Sequence, residues 1–124
     1  MKTRTMAVPL MVIFLMLFAG IAVAAPAFPD GLKREFSQYP GSNVLQVSMV
    51  SGTQMTTLDC GNTPVEKIYA YYKKKAVDNG WQVMMETMQE EVTMFMAQKG
   101  AKAAVVTVGK DEGKTMVNLG IYDN

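Results

Sequence analysis

The spacing of hydrophobic residues along this chain changes period twice. Asn43–Val50 alternates, with Leu45, Val47 and Met49 set against Gln46 and Ser48, which predicts a strand. Ser51-Gly52 is a turn signal, and Thr53–Leu58 predicts a return strand with Met55 and Thr57 opposite Gln54 and Thr56. The period then becomes helical. Val65, Ile68, Tyr69, Tyr72 and Ala76 form one apolar stripe, and Glu66, Lys67, Lys73 and Lys74 take the other side. Both ends of this helix are marked. Thr63 is placed to cap, Pro64 to occupy the first helical position and Glu66 to complete a capping box, while Asp78-Asn79-Gly80 ends the pattern.

Alternation resumes after Gly80. Strands are predicted over Trp81–Met88, Val92–Gln98, Ala103–Val108 and Thr115–Tyr122. The breaks fall at Gln89-Glu90-Glu91, at Lys99-Gly100 and at Lys110–Lys114, with Gly113 suited to a left-handed position. The expected fold is α+β: an antiparallel sheet in β-β-α-β-β-β-β order with one main helix packed on one face.

The first 24 residues read as a signal peptide. Lys2 and Arg4 precede an apolar run, Ala7–Ala24, that ends in the small-x-small pattern Ala22-Val23-Ala24. Cleavage after Ala24 implies a periplasmic or secreted protein; retention of the run as a membrane anchor is the alternative. Residues 25–42 form a lead-in rich in proline and glycine, with Leu32, Phe36 and Tyr39 available to pin it to the domain and an i,i+4 spacing that suits one helical turn. Residues 43–124 form the single α+β domain.

Tyr39-Pro40-Gly41-Ser42, Asp59, Thr63-Pro64-Val65-Glu66 with Tyr71-Tyr72, and Asn79-Gly80-Trp81 together resemble a pattern of small exported bacterial domains of unknown function, in which a capped helix and a Gly-Trp pair lead into a β-meander. The resemblance covers residues 39–122. It implies an α+β fold and export, and it transfers no active-site residue.

Charge and composition narrow the chemistry. Without Lys2 and Arg4 the chain carries 10 basic and 11 acidic residues, so nothing points to nucleic acid. There is no histidine, which removes the commonest general base and metal ligand, and the single Cys60 can form no internal disulfide. Cys60 reads as a small buried residue, with an intermolecular disulfide or a reactive thiol as alternatives. Glu86, Glu90 and Glu91 lie on or beside a polar turn where carboxylates stay solvated, and no enzyme activity or cofactor is expected. Lys73–Lys75 read as a solvated helix end.

Methionine is the distinctive residue. Met84, Met85, Met88, Met94 and Met96 lie within thirteen residues. Uniform alternation would put Met84 and Met88 on one face with Met94 and Met96, away from Trp81, Val83, Met85 and Phe95. Two functions follow: a non-enzymatic module binding a protein or envelope component through Tyr71, Met84, Met88, Met94 and Met96, or a soft-metal site for Cu(I) or Ag(I) on those four methionines. Met adaptively filling an irregular core explains the same residues. A sheet apolar on both faces with one helix leaves an uncovered surface, to be covered by a partner, a second copy or the lead-in.

Overall fold

A computed structural model describes residues 26–50 and 52–123. The expected leader lies outside the described residues. Six strands form one antiparallel sheet: β1 Asn43–Val50, β2 Thr53–Asp59, β3 Gln82–Met88, β4 Val92–Lys99, β5 Lys102–Asp111 and β6 Lys114–Asp123, in the spatial order β1-β2-β6-β5-β4-β3. A four-residue helix, α1 Asp30–Lys33, precedes β1, and the main helix, α2 Val65–Asp78, connects β2 to β3. The fold is α+β. Among the described residues no helix is long and apolar enough to cross a membrane.

Cross-strand register sorts the side chains into rows, because directly paired residues point to the same side. The helix-covered face carries the rows Val44-Leu58-Val117-Val108-Thr93-Met88, Val47-Thr56-Leu119-Val106-Phe95-Glu86 and Met49-Gln54-Ile121-Ala104-Ala97-Val83. The inner members, Leu58, Val117, Val108, Leu119, Val106, Phe95 and Ala104, are fully buried. Ile68, Tyr69, Tyr72 and Ala76 of α2 pack on β3, β4 and β5, and α1 packs on β2 and β6. The lead-in therefore belongs to the core: Phe28, Leu32 and Phe36 are buried in the same cluster, and the Phe36 ring lies 5.7 Å from Trp81 and 6.4 Å from Tyr72.

Residue chemistry explains the helix ends, with one correction. Thr63 forms no cap. Pro64, extended at ψ 146, is the capping residue and has no side-chain bond. Thr63 is held elsewhere, because its carbonyl accepts the Thr115 hydroxyl while the Thr115 amide donates to Gly61 and the Cys60 amide donates to Thr115. The loop before the helix is thus stitched to the start of β6. The C-terminal end follows the sequence pattern. Gly80 takes φ +87, its amide donates to Val77, and the Trp81 amide donates to Ala76, which closes a Schellman motif and sets Trp81 into the core. The β5–β6 connection is tighter than expected: Glu112 and Gly113, both at positive φ, form a two-residue turn.

Candidate functional site

The remaining face of the sheet carries neither α1 nor α2. Its two complete rows are Gln46-Thr57-Asn118-Thr107-Met94-Thr87 and Ser48-Met55-Gly120-Val105-Met96-Met85. A third, Tyr122-Ala103-Gln98-Gln82, crosses four strands. None of these residues is charged. The nearest charge in the ladder is Asp59, one row further along, whose carboxylate lies 3.6 Å from Lys114 Nζ and accepts the Gly61 amide.

This face has two halves. Over β1, β2 and β6 it is polar and partly paired within itself: Gln46 Nε2 donates to Thr57 Oγ1 (3.3 Å), which donates to Asn118 Oδ1 (2.6 Å). Gln46 is 4% exposed and its Oε1 has no donor. Over β5, β4 and β3 the middle row is apolar, and a stripe of Met55, Gly120, Val105, Met96 and Met85 runs across five strands. Met55 and Met85 are 36% and 47% exposed.

The methionines do not divide as uniform alternation requires. A register shift between Val83 and Met85 inserts one extra residue into β3. Beyond it the phase inverts. Met85 pairs with Met96, and Thr87 with Met94, on the open face; Met88 pairs with Thr93 on the helix-covered side, and Glu86 with Phe95. Met94 and Met96 are thus joined by Met85 rather than by Met88. Met84 sits at the bulge itself, and Met84 and Met88 are both exposed. Tyr71 is also less available than its off-stripe position predicts. Tyr39 packs edge-on against it at 4.8 Å, and its hydroxyl hydrogen-bonds Ser37 Oγ.

The other candidates are structural. Cys60 is 7% exposed, and burial, with the neighbouring Asp59 charge, pushes its thiol up to about 11. It is a protonated thiol at neutral pH, unsuited to nucleophilic attack. Lys73 and the Tyr69 hydroxyl bind Glu86, whose carboxyl is held below its ordinary value first by Tyr69 and then by Lys73. Lys74 pairs with Asp78, and Lys75 lies 5.6 Å over the Tyr71 ring. Among the described residues no group of three or more His, Cys, Asp or Glu is arranged to hold a metal. A polar cavity of about 230 Å³ opens between the α1 turn and the sheet end, lined by Arg34, Glu35, Gln54, Lys102 and Asp123.

No curated protein matches the chain by sequence. A family model does match, over residues 42–114, from just before β1 to the start of β6 and more than half of the chain. The chain belongs to the START domain-like family.

Proposed function

We propose that this chain is an exported, non-enzymatic interaction module of the bacterial cell envelope, and that it takes its partner, a protein or envelope component, on the open face of the sheet. One observation carries the reading: two complete rows of uncharged side chains span all six strands on a face that neither helix covers. Interface centres are depleted of charge and enriched in methionine and tyrosine, and a contiguous apolar stripe on an exposed sheet marks such a surface. The START domain-like match suggests a small domain of ligand-binding type, which agrees with binding. The apolar leader and the resemblance to small exported domains support export. The lack of histidine and the protonated, buried Cys60 support a non-enzymatic role.

Site-specific photo-crosslinking in cells tests the reading. A crosslinker at Thr107, in the middle of the open face, should trap a discrete product, whereas one at Val77, exposed on α2, should not. Equal trapping at both positions, or none at Thr107, contradicts it.

The direct pairing of Met85 with Met96, with Met94 two residues along β4, favours a second reading. Three thioethers on one patch suit Cu(I) or Ag(I). Native mass spectrometry with Ag(I) should then show one adduct that Met96→Leu removes; an adduct unchanged by that substitution rejects the reading.

A further inference from the structure

We infer that the occupant of the open face is a second copy of this chain, the two sheets packing face to face; this rests on the docking-face reading above. Three properties of the face point to a copy of itself.

The first is charge. In an interface built on a two-fold axis, residues near the axis meet their own copies, so a lysine or glutamate there repels itself. Here the two complete rows, and the third beside them, hold no charged residue across the sheet.

The second is polarity. Gln46, Thr57 and Asn118 in the non-apolar half already pair with one another, so covering these three side chains breaks no bond to water that they depend on.

The third is area. At about 4.8 Å between strands and 6.6 Å between rows, two rows crossing six strands and one crossing four give each copy ~500 Å² of projected face. Two copies bury ~1,000 Å², in the range of weak, reversible interfaces. The dimer should therefore be real but concentration-dependent. Packed at ~10 Å, two such sheets form a sandwich in which the Met55–Met85 stripe of each copy meets the other.

Sedimentation velocity from 1 to 300 µM tests this, using protein expressed from the full-length chain and purified as the cell processes it. Wild type should move from monomer to dimer within that range. Met85→Lys and Met55→Lys place a charge at positions already exposed, so folding is retained, and each should weaken dimerisation at least tenfold. Val77→Lys, on the outer side of α2, should leave it unchanged. A monomer throughout the range overturns the inference, as does a dimer indifferent to both methionine substitutions. The docking-face reading is separable. A monomer whose Thr107 crosslink to a different partner is lost in Met85→Lys overturns the second copy and leaves that reading standing. A dimer insensitive to both face substitutions overturns the second copy, and absence of any Thr107 crosslink overturns the docking-face reading as well.

Discussion

Glu35 joins three parts of the fold, and its removal should reveal how the lead-in is held. Its carboxylate Oε1 accepts Trp81 Nε1–H and the Lys99 ammonium, each at 2.9 Å, and its backbone carbonyl accepts Asn79 Nδ2 at 2.6 Å. The lead-in, the C-terminal end of α2 and the end of β4 therefore meet at one residue. Glu35→Ala keeps the carbonyl and deletes the carboxylate. Trp81 is 4% exposed, so its indole N–H loses its acceptor where water hardly reaches, a cost of about 1–3 kcal/mol. Lys99 is 40% exposed and rehydrates, adding at most about 1 kcal/mol. The expected total is about 1–4 kcal/mol, at or above the roughly 1 kcal/mol expected for Lys99→Ala, which loses the screened ion pair and the contact of its ammonium with the Trp81 ring.

Urea unfolding followed by far-UV circular dichroism, a signal that survives substitution of the chain's single tryptophan, measures both. A double-mutant cycle of Glu35→Ala with Trp81→Phe isolates the indole bond and should return about 1–2 kcal/mol of coupling. A loss below about 0.5 kcal/mol for Glu35→Ala, or additive effects in the cycle, would refute the assignment. The pH dependence has a definite sign. Burial raises the Glu35 carboxyl, but the hydrogen bonds from Lys99 and Trp81 outweigh it and leave the group below its ordinary value in the folded protein. Its contribution is therefore present above the unfolded glutamate value of about 4.3 and is lost as pH falls through the lower folded value. The stability difference between wild type and Glu35→Ala should be constant near neutrality and close in acid.

Gly80→Ala should cost about 1–2 kcal/mol in the same assay, because a β-carbon is strained at φ +87; a loss below 0.3 kcal/mol would mean that the Schellman turn adapts. Native Cys60 should react with iodoacetamide at pH 7.5 at least tenfold more slowly than in urea, since burial keeps its thiol protonated; equal rates would place it at the surface.

Much of the fold was legible because its signals are local. Alternation locates all six strands to within a few residues, and the stripe from Val65 to Ala76 marks the face of α2 that is buried. The end of the helix is readable because Gly80, free of a β-carbon, takes positive φ at the least cost. The start misleads because Thr63 satisfies the capping pattern while its carbonyl is claimed by Thr115, fifty-two residues away, and sequence spacing holds no trace of that tie. The candidate site fails at one point for a similar reason. Alternation sorts Val83, Phe95, Met94 and Met96 onto their proper faces, but the bulge after Val83 carries no glycine or other marker, so the phase of Met85 and Met88 is inverted by an event visible only in the register with β4. The neutrality of the open face was present in the sequence as Thr57, Thr107 and Asn118. It acquires meaning only when the strand order aligns them.

The most direct test uses the methionine methyl groups, which sample both sides of the sheet. In protein labelled at the methionine methyls, the NMR signals of Met55, Met85, Met94 and Met96 should shift or broaden between 10 and 500 µM. Those of Met49 and Met88, 65% and 68% exposed on the side the helices cover, should not move. This pattern would separate a defined face from general stickiness of exposed methionines. Changes confined to Met49 and Met88, or no change at any methyl, would contradict a docking face occupied by a second copy.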